Sequence, residues 1–182
     1  LGIKMLELDI IPFSPELPPF GKTRSSIIYG STTFNNLAFK DKSLSRGVFY
    51  SDSSFSIENY IKSWGKYMLN CEASIITFQQ LISNSEYSGD KLLFIRPDND
   101  NKSFAGEVKR FDEVQQWFAQ LKIIENTDLS PESKIVVSEP YNIQYEWRLW
   151  IVNKCVVAAS RYRAYFRLSK EEGCPLAVVE FA

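Results

Sequence analysis

Two runs rich in apolar, β-branched and aromatic residues, Glu146–Val152 and Cys155–Tyr162, flank the dipeptide Asn153-Lys154. That arrangement fits an antiparallel hairpin closed by a two-residue turn. With such a turn Val152 faces Cys155, and counting back predicts Trp150 opposite Val157, Arg148 opposite Ala159 and Glu146 opposite Arg161. Side chains alternate across a sheet, so Glu146, Arg148, Trp150, Ala159 and Arg161 share one face. Trp147, Leu149, Ile151, Val156 and Ala158 fall on the other as an apolar surface, while Arg163 extends the polar side. A single charge on a strand ordinarily faces water. Three arginines, Arg148, Arg161 and Arg163, gathered beside Glu146 repel one another, at roughly 4 kcal/mol for a pair at about 4 Å and an effective dielectric of about 20. An anion such as a polyphosphate relieves that repulsion. A slip of one residue in register moves every side chain to the other face, so the reading depends on the pairing.

A second cationic stretch lies upstream. The apolar strand Leu92-Leu93-Phe94-Ile95 runs into Arg96, and the polar loop after it carries Lys102 before Gly106. Arginine offers a planar fork of donors and lysine a compact charge that follows a moving phosphoryl group, which suits both to phosphate oxygens. The plain alternative is a solvated charged turn.

Composition narrows the chemistry. The 182 residues include no histidine, which excludes serine–histidine and cysteine–histidine triads and histidine metal sites. Cys71, Cys155 and Cys174 are far apart and form no CxxC pair, which argues against a disulfide framework or a zinc site. Any metal is then a hard cation on oxygen ligands, magnesium being the natural one beside phosphates. A net charge of −1 and 45% hydrophobic residues describe a folded protein without the basic surplus that marks nucleic-acid or anionic-membrane binding. No run approaches the length of a membrane span and none reads as a signal peptide, so a cytoplasmic location is expected. The chain opens on Leu1-Gly2-Ile3-Lys4 and closes inside the apolar run Val178–Ala182, from which further residues at both ends are expected.

Along the chain, Ile3–Ile11 reads as a strand closed by Pro12, Pro15, Pro18 and Pro19, and Ser26–Gly30 as a second short strand. Residues 31–55 show no clear period and read as loop with short elements. Ile57, Tyr60, Ile61 and Trp64 recur at helical spacing, with Ser56 as a cap and Gly65 as a stop. Ile75, Phe78, Leu81 and Ile82 repeat the pattern. Phe111, Val114, Trp117, Phe118 and Leu121 give the most regular amphipathic helix, and Asp112 and Glu113 suit its positive N-terminal end. These stripes read as core. From Ile135-Val136-Val137 onward the texture is that of strands, and a composition shift near Ser85–Asp90 separates an N-terminal region from a strand-rich one.

Phe94-Ile-Arg-Pro-Asp, Lys102-Ser-Phe-Ala-Gly, Val137-Ser-Glu-Pro, Glu146-Trp-Arg148 with its hairpin, and Ser160-Arg-Tyr-Arg163 follow one another in an order that resembles the ATP-grasp superfamily. Specifically, it resembles the clade named for two arginines and one lysine. Tyr29-Gly30-Ser31 and Leu69–Ala73 are similar to that clade's N-terminal region. The resemblance implies an α+β fold, with a small α/β N-terminal region over 1–88 and ATP-clasping subdomains over 89–182 that are incomplete at the C-terminus. It implies adenine against Ile135–Pro140 with Glu139 as a candidate contact, and Lys102 as the phosphate-binding lysine. Arg96 and Arg148 would be the two arginines, with Arg163 near the same phosphates or the acyl substrate. Catalysis is thus expected of Arg148 and Arg163, and ATP binding of Arg96, Lys102, Glu139, Glu146 and Arg161.

The implied reaction, with magnesium, makes an acyl phosphate from a carboxylate and ATP, which an amine or thiol then attacks. A peptide or protein is one class of substrate. Such chemistry needs alignment and charge neutralisation more than a protein nucleophile, in keeping with a chain that has no histidine. One departure stands out. The family holds magnesium with acidic residues and an asparagine on late strands, whereas only Glu171, Glu172 and Glu180 follow Arg163, in helix-like or loop context. Either residues beyond Ala182 supply the metal site, or the chain is a non-catalytic nucleotide-binding or interaction module. Phosphoryl transfer to a small molecule, and arginines that merely form structural ion pairs, are the other readings.

Overall fold

The computed structural model describes residues 4–11, 14–19, 21, 26–50, 54–99, 103–121, 123 and 129–182. Two compact units follow one another, Leu1–Glu139 and Pro140–Ala182. Among the described residues no helix is long and apolar enough to cross a membrane.

The first unit is organised by a four-stranded antiparallel sheet of β1 (Ser74–Thr77), β2 (Leu92–Pro97), β3 (Glu107–Arg110) and β4 (Lys134–Ser138), in the order β1-β4-β2-β3. Alternation along β2 buries Leu93, Ile95 and Pro97 on one side. There Leu93 and Ile95 meet α3 (Phe78–Ile82) and α4 (Phe111–Leu121), whose Phe78, Leu81, Val114 and Phe118 complete the core. Phe78 is fully buried, with its ring edge-on to Trp117 at 5.0 Å and stacked on Phe118 at 6.5 Å. In β4, Ile135, Val136 and Val137 are all buried, the mark of a central strand covered on both faces.

Local chemistry explains where the elements begin and end. The α4 stripe and its acidic first turn match the periodicity. α2 (Ile57–Trp64) starts on Ser56, whose hydroxyl accepts from the Asn59 N–H at 3.1 Å, and stops at Gly65, whose φ of +50° suits a residue without a Cβ. Asp98, just beyond β2, adds a second cap. Its carbonyl accepts from the Ile57 N–H and its carboxylate from the Glu58 N–H, each at 2.9 Å. Only 7% exposed, Asp98 thereby fastens α2 to the end of β2.

Four expectations change. The stretch beginning at Ile75 is a strand before it is a helix, because Ile75 and Ile76 pair with Val136 and Ile135. A capping box of Thr77 and Gln80 then starts α3 at Phe78. Within 31–55 lies α1 (Thr32–Lys40), which weak helix formers conceal; it rests on the Ser31 cap and on buried Phe34 and Ala38. The described residues 4–11 form no strand, and Ile3 and Pro12 lie outside the described residues. Ser26–Gly30 makes only one parallel bridge, Ile28 to Val48.

The second unit is a three-stranded meander, β5 (Tyr145–Val152), β6 (Cys155–Ala164) and β7 (Arg167–Glu172), followed by α5 (Leu176–Phe181). Glu171 and Glu172 thus belong to a strand, not to the helix or loop expected of them. None of the fully buried apolar side chains lies between 140 and 182.

Two measurements check this packing. Phe78→Ala should cost about 3–5 kcal/mol in urea denaturation, the range for emptying an aromatic core position. Glu58 bridges Lys62 at 2.8 Å and Lys134 of β4 at 3.0 Å, and these two ammonium groups, Lys62 foremost, lower its carboxyl from 4.5 to about 2. A depressed carboxyl stabilises the fold above its unfolded value and loses that contribution as pH falls towards the folded one. Glu58→Gln should therefore flatten the loss of stability between about pH 4.5 and pH 2, followed by urea midpoints across that window.

Candidate functional site

The hairpin turn forms as its sequence requires. Asn153 and Lys154 both take left-handed φ, 49° and 64°, and Val152 pairs with Cys155. Beyond the turn the count fails twice, because β6 carries two extra residues. Ile151 pairs with Val156 but Trp150 with Ala158, leaving Val157 over; Trp147 pairs with Arg161 but Glu146 with Arg163, leaving Tyr162 over. Arg148 therefore faces Ser160, not Ala159. The expected pairings of Trp150 with Val157, Arg148 with Ala159 and Glu146 with Arg161 are all displaced. A bulge breaks the strict alternation, and each one re-aims the residues that follow it.

The consequence for the arginines is direct. Glu146, Arg148 and Trp150 keep one face, joined there by Ala158, Ser160 and Arg163. Arg161 moves to the opposite face, with Trp147, Leu149 and Ala159. On that side its guanidinium bonds to Glu171 and to the Ser169 hydroxyl, and lies 5.5 Å from the centre of the Tyr145 ring. Arg161 thus has its own carboxylate and leaves the expected group of three.

What assembles in its place is a cluster around Tyr162. The Tyr162 hydroxyl donates to Glu146 Oε2 at 2.6 Å, and Glu146 Oε1 lies 3.5 Å from Arg163 Nη1. The guanidinium carbons of Arg148 and Arg163 are 5.4 and 5.9 Å from the centre of the same phenol ring, within cation–π range. Burial first, and then the Glu146 carboxylate, push the Tyr162 hydroxyl above its ordinary value. With Glu146 drawn to Tyr162 and Arg163, Arg148 forms no ion pair with a carboxylate among the described residues. Its exposed guanidinium is available to an anion.

In the first unit, Arg96 lies on the sheet face opposite the core, in register with Val136, and its Nε donates to the Pro97 carbonyl at 3.1 Å. The loop returning to β3 passes close by. A Cβ on Gly106 would sit 3.1 Å from the Phe94 ring and 3.4 Å from Arg96 Cβ, so glycine permits that approach. Glu139 directly follows β4 and binds Lys91 at 2.6 Å. Lys102 lies outside the described residues.

Magnesium finds no convergent ligands among the described residues, where no three cysteine, aspartate or glutamate side chains come together. Glu146 and Glu171 are already engaged by Tyr162 with Arg163 and by Arg161. The carboxylates of the described residues do not fit the metal.

Tyr162 was missed at the level of sequence because it reads as one more strand residue. The only available signal was its place between two arginines. The motif order proved more informative. A family model for an ATP-grasp domain, the second family of the clade named for two arginines and one lysine, matches residues 74–181, from β1 to the end of α5. The chain belongs to that family, and its fold is the α+β fold expected, of ATP-grasp type. Membership implies ATP binding and, at the level of the superfamily, ATP-dependent ligase-type activity. The match includes all the motifs from Phe94 to Arg163 but not Tyr29–Ser31 or Leu69–Ala73. No curated protein and no solved structure matches the chain.

The turn offers a test of the hairpin. A left-handed lysine is strained, so Lys154→Gly should gain about 1 kcal/mol after glycine's extra chain entropy is offset. Amide hydrogen exchange along β5 and β6 should slow; faster exchange would contradict the turn geometry.

Proposed function

We propose that this protein joins a carboxylate to an amine at the expense of ATP, through an acyl phosphate. A carboxylate oxygen attacks the γ-phosphorus and ADP leaves; the amine then attacks the acyl carbon, phosphate departs with the bonding electron pair, and the nitrogen gives up a proton. Family membership supports the nucleotide. The observation that carries the assignment to particular residues is the exposed Arg148 guanidinium, held against Tyr162 beside Arg163 and without a carboxylate of its own among the described residues.

In this reading Arg148 and Arg163 hold phosphoryl oxygens and offset the charge that builds on them during transfer. Arg96, Lys102 and Glu139 are further proposed contacts to ATP, and Glu146 steadies Arg163. Arg161 drops out of the binding set, since Glu171 neutralises it on the other face. The sheet of the first unit and the family match both start at Ser74, which supports a nucleotide-binding region beginning there instead of at residue 89.

ATP at a hundred times its dissociation constant should stabilise the protein by about 2.7 kcal/mol, an easily read rise in melting temperature. Lys102→Ala and Arg148→Ala should each abolish that rise with unchanged far-ultraviolet circular dichroism, while Arg161→Ala should keep it. Retention of the rise in both of the first two variants would place the phosphates elsewhere. With amino acids and short peptides as acceptors, ADP and inorganic phosphate released in equal amounts indicate ligation. ADP without phosphate indicates phosphoryl transfer, and binding without ADP indicates a module that does not turn over.

A further inference from the structure

The bulge at Tyr162 decides which of two neighbouring cations the Glu146 carboxylate meets. It falls where both neighbouring ladders shift register, between Glu146 and Trp147 on one side and between Arg161 and Arg163 on the other. Without an extra residue here, alternation would put Tyr162 and Arg163 on opposite faces. With it, Tyr162 reaches Glu146 and places its ring against both Arg148 and Arg163.

Glu146 and Arg148 are two apart on β5 and share a face, so the carboxylate has Arg148 as a ready alternative partner. The hydroxyl of Tyr162 holds Oε2 at 2.6 Å, and Arg163 takes Oε1 at 3.5 Å. Both oxygens of Glu146 are thereby occupied, and the phenol ring supports the Arg148 guanidinium without cancelling its charge. We propose that Tyr162 is a positioning residue that withholds the Glu146 carboxylate from Arg148 and so keeps that guanidinium free for the nucleotide phosphates. The proposal rests on the assignment of Arg148 to ATP made above.

Isothermal titration with ATP on the full chain tests it with three variants. Tyr162→Phe keeps the ring and removes the hydroxyl; Glu146 can then turn to Arg148, and ATP binding should weaken roughly tenfold, the effect of one hydrogen bond to a charged group. Adding Glu146→Gln to Tyr162→Phe removes the competing carboxylate, and affinity should rise severalfold above that of Tyr162→Phe alone, because glutamine cannot neutralise Arg148. A merely structural hydroxyl would give no such rescue. Arg148→Ala is the reference. If it binds ATP as the original protein does, the phosphate assignment itself fails and the proposal falls with it. If Arg148→Ala weakens binding while Tyr162→Phe does not, the positioning role alone is wrong. An equally weak double variant, or loss of the strand circular dichroism in Tyr162→Phe, also overturns it, the latter by making the hydroxyl a requirement for folding.

Discussion

Ile135, Val136 and Val137 are buried in succession, and a strand covered on both faces has one register open to it. β4 takes that place between β1 and β2, and much else in the first unit follows from it. Its inner residues meet the Phe78 cluster, and Lys134 at its start draws Glu58 and with it α2. Asp98 secures the same helix from the end of β2. Residues 57–64 are therefore bound to the sheet by charge and capping. The chain leaves β4 through Glu139 and Pro140, where the compact units divide.

The second unit is built on a different principle. With no fully buried apolar side chain, it depends on ladder hydrogen bonds, on tight turns and on side-chain clusters above each face. Its turns are unlike. Asn153-Lys154 has a residue that tolerates left-handed backbone, whereas Tyr165 and Phe166 adopt φ of 47° and 63° despite their bulk. The Tyr165 ring is held against Tyr145 at 5.4 Å, and its N–H donates to the Gln144 carbonyl at 2.7 Å, contacts that help offset the strain. In such a thin sheet a bulge decides which charges meet. One residue over in β6 separates Arg161 from Arg163 and gives each its own carboxylate.

Legibility in the sequence followed the range of the interactions involved. α2 and α4 were visible because caps, stops and a 3.6-residue period are local. The two-residue turn was visible for the same reason. β1 was hidden because Ile75 and Ile76 suit a helix equally well, and only pairing with β4 makes them a strand. α1 was hidden because Thr, Phe and Asn are indifferent helix formers, and the burial of Phe34 and Ala38 outweighs that. The bulges left no trace, since Val157 and Tyr162 are ordinary strand residues. Of the expected hairpin group, Glu146, Arg148 and Arg163 do meet; Arg161 does not.

Sequence by itself determined the family, through the order of motifs from Phe94 to Arg163, and the chemistry open to a chain without histidine. It also determined the hairpin and its turn, because two residues suffice to specify them. Tertiary structure alone decided which arginines share a face and where the Glu146 carboxylate goes. Those outcomes depend on two residues inserted into β6 against strands on both sides, and ladder pairing between strands is a property that no local stretch of chain contains.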